Sequence, residues 1–184
     1  MKKLFYIAFI ALTFLSLGCT KDGISASIVG TWEPVSMSYH FYNKDGNQVA
    51  TSEVVSAIFK EMDMPTDERS INSAVEMLEN APVESTRFQY DSDGTVKMLT
   101  KNTDGTWSTP IDYGNYKLEG SKLILVVLNS TLVQTVLALN QNEMKIESTK
   151  DSIVSLSSDM KEALSVYEKL GYSWRSLVVY KRVR

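Results

Sequence analysis

Thr86-Arg87-Phe88-Gln89-Tyr90-Asp91-Ser92-Asp93-Gly94-Thr95-Val96-Lys97-Met98-Leu99-Thr100-Lys101 consists of two runs of alternating apolar and polar residues separated by Asp-Gly. Alternation at period two puts Phe88 and Tyr90 on one face of a strand and Val96 and Met98 on one face of the next. Between them, Asp93-Gly94 supplies the positive φ that a tight hairpin needs, so the stretch reads as two antiparallel strands. The same turn chemistry recurs at Asn43-Lys44-Asp45-Gly46 and Asn102-Thr103-Asp104-Gly105. Repeated hairpin tips point to an antiparallel meander.

Working outward, Ile28 to Tyr42 is rich in β-branched and aromatic residues, and Tyr113 to Glu119 alternates through Tyr116 and Leu118. Lys122 to Leu128 is apolar on both faces, which requires cover on both sides. Thr131 to Leu139 pairs across Asn140-Gln141-Asn142 with Glu143 to Thr149, and Ser173 to Val183 ends the chain. The class is mainly β, with about eight antiparallel strands, a number that suits closure into a small barrel.

Three helices interrupt the strands. Ser52 is positioned to cap a helix carrying Val54, Val55, Ile58, Phe59 and Met62, which Pro65 stops. Thr66 is positioned to cap a second, with Asp67 and Glu68 in its first turn, Ile71, Ala74, Val75 and Leu78 on one face, and Pro82 at its end. Together they form an insertion at about 52–81, after the first strand. A third helix starts near Ser158 and Asp159, aligns Met160, Ala163, Leu164, Tyr167 and Leu170, and ends at Gly171 before the last strand. The simplest packing lays the inserted helices on Ile124, Val126 and Leu128, the outward row of the strand at 122–128, and leaves the barrel mouth open. As a lid over the mouth they would instead leave that row exposed as a docking face for a protein partner.

At 184 residues, with 43% hydrophobic and 22% charged, the chain makes one ordinary domain. A formal charge of −3 offers no footprint for nucleic acid. One Cys and one His exclude a disulfide framework and a Cys/His zinc site, and no metal or cofactor is expected. Asp91-Ser92-Asp93-Gly94 lacks the third acidic ligand and the Glu at position twelve of a calcium loop. His40, among Tyr39, Phe41 and Tyr42, reads as a surface or strand-edge residue. Without a Gly-rich phosphate loop, a His-Glu-x-x-His helix or a Gly-x-Ser-x-Gly elbow, there is no catalytic residue to name, and the expectation is a non-enzyme.

Met1 to Gly18 has a basic start at Lys2 and Lys3, an apolar run from Leu4 to about Leu15, and small residues before Cys19, the layout of a secretory signal too short to span a membrane. Leu15-Ser16-Leu17-Gly18-Cys19 resembles a bacterial lipobox, which implies a signal peptide at 1–18 and a diacylglyceryl-modified Cys19 carrying palmitate-class acyl chains. With no Asp after Cys19, the resemblance favours an outer-membrane anchor, facing the periplasm or the cell surface. Loss of residues 1–18 leaves 17 basic against 22 acidic residues, a net of −5. Residues 19–27 read as a tether and 28–184 as the folded domain.

Gly30-Thr31-Trp32, the pattern Gly114-x-Tyr116-x-Leu118-x-Gly120-x-x-Leu123-x-Leu125 and the run Leu139-x-x-Asn142-x-Met144-x-Ile146 together resemble lipocalin-like lipoproteins of Bacteroidetes. The resemblance implies a lipocalin-like barrel in which Trp32 closes the floor against an Arg of the final strand: Arg182, with Arg175 and Arg184 as alternatives. Among the aromatic residues, Phe88, Tyr90 and Tyr116 are the candidates to line a cavity. The leading expectation for function is binding of a small apolar or aromatic ligand, which the fold resemblance does not by itself imply. Its rival is a structural or interaction lipoprotein with a filled barrel in an envelope assembly.

Overall fold

The computed structural model describes residues 26–79, 83, 85–127, 130–155 and 165–183. Residues 1–25, which hold the expected signal segment, Cys19 and most of the expected tether, lie outside them, as do Pro82, Leu128, Arg184 and the expected third-helix residues 158–164.

Eight long strands close into one antiparallel barrel. They are β1 (Gly30–Tyr42), β3 (Thr86–Tyr90), β4 (Thr95–Thr100), β5 (Ile111–Glu119), β6 (Lys122–Val127), β7 (Ser130–Leu139), β8 (Glu143–Thr149) and β10 (Ser173–Arg182). Sequence neighbours pair in order, except that β8 pairs with β10 and β10 returns to β1, from Trp32↔Arg182 to Tyr42↔Ser173. Register shifts at Pro34/Ser36, Val96/Lys97 and Val136/Ala138 add the local bending that a closing sheet requires. The Asp-Gly tips turn as their chemistry dictates: Gly46, Gly94 and Gly105 take φ of 79°, 88° and 83°, and each N–H donates to the carbonyl three residues back. Two short strands escaped the sequence reading, β2 (Gln48–Val49) on β1 and β9 (Ile153–Ser155) on β7. Runs of two and three residues carry no alternation to detect.

Helix α1 is Thr51–Glu61 and α2 is Glu68–Glu79. Neither cap is the expected one. Ala50, one residue beyond β2, precedes α1 without a side-chain cap, so the strand's exit rather than Ser52 sets the start. Asp67 replaces Thr66 at α2: its carboxylate accepts both the N–H (3.0 Å) and the hydroxyl (2.7 Å) of Ser70 and places its charge at the positive end of the helix. Left-handed Asp63 (φ 55°) ends the α1 turn before Pro65 is reached, and Met62 is exposed.

Nor do the helices cover the outward row of β6. Both pack against β1, and Val126 remains 45% exposed, with Ile124 half-buried. The cause lies in β1, which pairs with β3 only through Gly30–Trp32. Above that point β1 leaves β3 and its edge there pairs only with β2, at Phe41 and Tyr42, and the short connection from β2 delivers the helices there. Val54 and Val55 are buried, and the stripe Ile71, Ala74, Val75 and Leu78 is half-buried.

Residues 165–170 are helical, and Gly171 caps them at φ 73°, its N–H bonding Glu168 and that of Tyr172 bonding Tyr167. Tyr167 stacks on Phe41 at 6.3 Å and 6°. Lys169 pairs with Glu61, and the Tyr172 hydroxyl meets Glu53 at 3.3 Å, so this helix and α1 are tied together at the end of the barrel away from Trp32.

Candidate functional site

Residues directly opposite in antiparallel strands share a face, so the register stacks the barrel interior into levels. At the bottom, Trp32 lies beside Phe88 and Arg182. Above it come Pro34, Tyr180, Met144 and Leu139, then Met37, Val178, Ile146 and Val136. The next level is polar: Tyr39, Ser176 and Ser148 are in register, and Gln134 Nε2 donates to Ser148 Oγ at 2.7 Å. Phe41 and Trp174 form the top, beneath Tyr167.

The floor is solid. Trp32 is fully buried, its Nε1 donates to the Ile28 carbonyl at 2.7 Å, and the Arg182 guanidinium lies 4.3 Å over its ring. Arg182 also donates to the carbonyls of Val29 and Ser27, each at 2.7 Å, so the last strand fastens the chain entering the first. A Cβ on Gly30 would stand 2.6 Å from Arg182 Nη1, which explains the glycine. Of the alternative arginines, Arg175 faces outward to Glu147 and Tyr42, and Arg184 lies outside the described residues.

Higher in the barrel the packing changes. Met37, Tyr39, Leu132, Gln134, Ser148 and Val178 point inward yet are only half-buried, although Phe41 above them is 3% exposed. Tyr39 and Phe41 also line the cleft of about 450 Å³ between β1 and the helices, and the other inward side chains keep accessible surface between the packed floor and Phe41. A barrel of eight strands is wide enough for one small ligand there.

A search against family models matches a Lipocalin-like domain to residues 28–146. The chain belongs to the lipocalin-like domain family. No curated protein matches it. The matched segment ends inside β8, while the lipocalin-like barrel runs on through β10 and the Arg182 contact.

The three expected lining residues occupy different places in this barrel. Phe88 is half-buried, at ring distances of 5.6 Å from Tyr113 and 6.4 Å from Tyr180. Tyr90 and Tyr116 belong to the packed floor instead, edge to face at 5.0 Å, with Tyr90 3% exposed and the Tyr116 hydroxyl donating to the Asp91 carbonyl. Both sit beside the β3–β4 tip, below the hollow part. Burial, then the neighbouring Tyr113, pushes the Tyr180 hydroxyl up to about 12, and burial raises Tyr90 well above its ordinary value.

Gln134, Ser148 and Ser176 were missed. Each is a polar residue on an inward row, between Leu132 and Val136, after Met144 and Ile146, and between Trp174 and Val178. An interrupted apolar row was the signal, visible once the three strands are aligned.

Elsewhere, His40 lies on the outward row opposite Arg175, 3.4 Å from Gln48, beside a cleft of about 450 Å³ between β1 and the helices. The Asp91 and Asp93 carboxylates are engaged by Gln89, Lys97 and Thr95 within the turn, contacts that hold both below the usual carboxylate range. Among the described residues no group of three or more His, Cys, Asp or Glu could hold a metal ion, and no helix is long and apolar enough to cross a membrane.

Proposed function

We propose that this lipocalin-like barrel is a non-enzymatic binding module for a small apolar or aromatic molecule, held at the outer membrane through a lipid on Cys19. The observation that carries the ligand reading is the row of half-buried inward side chains between the solid floor and Tyr167. Met37, Leu132 and Val178 offer apolar walls above the floor to which Phe88 belongs, and Phe41 and Tyr167 offer a cover. The anchor rests on the basic start, the apolar run and the sole cysteine at a small-residue boundary. An acyl chain contributes about 0.8 kcal/mol per buried methylene, so two or three chains hold a protein of this size at a bilayer.

The rival reading is an interaction lipoprotein of an envelope assembly, and it draws on the exposed outward Val126. Exposed apolar residues such as Val126 and Leu137 are ordinary for a protein surface, and the accessible inward row favours the ligand reading. Native mass spectrometry of the protein from its own host tests it. A co-purifying small molecule at one per chain is expected. Acylated chain alone, with no uptake of an added apolar dye, would leave the assembly reading in its place.

A further inference from the structure

The hollow half of the barrel is not uniformly apolar. Across four adjacent strands, β7, β8, β10 and β1, one level carries Gln134, Ser148, Ser176 and Tyr39 facing inward. Gln134 bonds Ser148, but the Ser176 hydroxyl has no hydrogen-bond partner among the described residues. Ser176 is 5% exposed, and the sealed, unpartnered side-chain nitrogen or oxygen among those residues is Arg182 Nε. The Ser176 hydroxyl, on the inward row of β10, is therefore unpartnered but not sealed. A hydroxyl that keeps accessible surface without a protein partner bonds water, which a hydroxyl or amide of a ligand can replace.

The strands bring no charge to this level, although Glu79 of α2 lines the adjoining cleft with Tyr39 and Phe41. Among the described residues, every inward position above the floor is apolar, aromatic, hydroxyl or amide. Arg182, at the floor, is occupied by the Trp32 ring and the Ser27 and Val29 carbonyls. An ionised ligand group would lose its hydration without meeting a counter-charge, while a hydroxyl or amide would exchange water for the polar belt. The raised Tyr180 supports an interior that disfavours charge.

We infer that the ligand is an uncharged amphiphile, an apolar body bearing a neutral hydroxyl- or amide-type group that bonds the Gln134–Ser148–Ser176–Tyr39 belt. This rests on the ligand-binding reading above and names the chemistry of its ligand.

The test uses the full chain in lipid nanodiscs, with energy transfer from tryptophan to bound N-phenyl-1-naphthylamine as the signal and empty nanodiscs as the baseline. The dye is competed with 1-decanol, decanoate and decylammonium. The alcohol is expected to displace it at concentrations at least tenfold lower than either ion. Because lipid partitioning also favours the alcohol, the deciding quantity is the change in that preference in Gln134→Leu and in the near-isosteric Ser176→Ala, which removes only the hydroxyl. A drop of threefold or more, with each competitor's potency referred to the dye affinity measured for the same variant, is expected for either variant. Equal competition by the ions, displacement by none of the three, or an unchanged preference in Ser176→Ala overturns the inference and leaves the cavity standing. Absence of dye binding to the unaltered chain overturns both.

Discussion

Arg182, in the last strand, lies 4.3 Å over the ring of Trp32, in the first, and its two terminal nitrogens bond the carbonyls of Val29 and Ser27. One side chain thus joins the chain's entry, its first strand and its last, and the barrel closes where sequence separation is greatest. Such a closure is worth more than a surface ion pair, because the guanidinium covers a buried aromatic face and its bonds are charge-assisted.

Removing either partner should open the floor. Trp32→Ala is expected to destabilise by about 3–5 kcal/mol, the usual cost of deleting a large buried aromatic side chain. Arg182→Met keeps much of the bulk but loses the charged hydrogen bonds, at an expected cost of about 1.5–3 kcal/mol. Urea unfolding followed by tryptophan fluorescence measures both. A loss below about 1 kcal/mol for Trp32→Ala would show that the ring does not seal the barrel.

Alkaline pH should weaken the fold through the interior tyrosines. Unfolded Tyr180 releases its proton near the ordinary 10.0, folded Tyr180 near 12, so between these values the unfolded state holds fewer protons and stability falls as pH rises. The contribution is fully present below pH 10 and is lost by pH 12, an effect of up to about 3 kcal/mol from this group alone. Tyr90 acts in the same direction. Urea midpoints measured from pH 8 to 11.5 should decline, and Tyr180→Phe should shallow the decline; an identical slope in that variant would remove Tyr180 from the account.

The architecture was largely legible because alternation and Asp-Gly turns are local signals. Phe88 and Tyr90 across from Val96 and Met98 could be placed from one hairpin, and the observed strand ends differ from the expected ones by a residue or two. Helix caps were less legible, since β2 sets the start of α1 and a carboxylate outcompetes the Thr66 hydroxyl at α2. Helix placement was not legible. It depends on β1 parting from β3 after Trp32, a consequence of closure geometry that no local pattern encodes. For the site, depth was the hidden coordinate: periodicity puts Tyr90 and Phe88 on one inward face but does not say that Tyr90 lies at the floor.

The anchor makes a separate prediction. Cys19→Ala should release the protein from membranes into the soluble envelope fraction, while the unaltered chain should stay with the outer membrane and carry the mass of its acyl chains. Cell fractionation with mass spectrometry of the N-terminal peptide reads both. A Cys19→Ala protein that still sediments with outer membrane, beside an unmodified N-terminus in the parent, would rule the lipid anchor out.

Tyr167 should govern the rate at which the barrel exchanges its contents. It stacks on Phe41, the highest inward side chain of β1, and its helix is held to α1 through Lys169–Glu61 and Tyr172–Glu53. Both ties are solvent-exposed and so contribute little to stability, which leaves this cover easier to move than the floor. Tyr167→Ala is therefore expected to raise the dissociation rate of N-phenyl-1-naphthylamine about fivefold or more in stopped-flow dilution, with a smaller effect on the urea midpoint than Trp32→Ala. Lys169→Ala should act in the same direction and more weakly, through one tether instead of the cover itself. If dye leaves both variants at the parent's rate, the entrance lies elsewhere, and the edge of β1 between its pairings with β3 and with β2 becomes the place to probe, with Tyr39→Ala and Val75→Ala as the substitutions beside it.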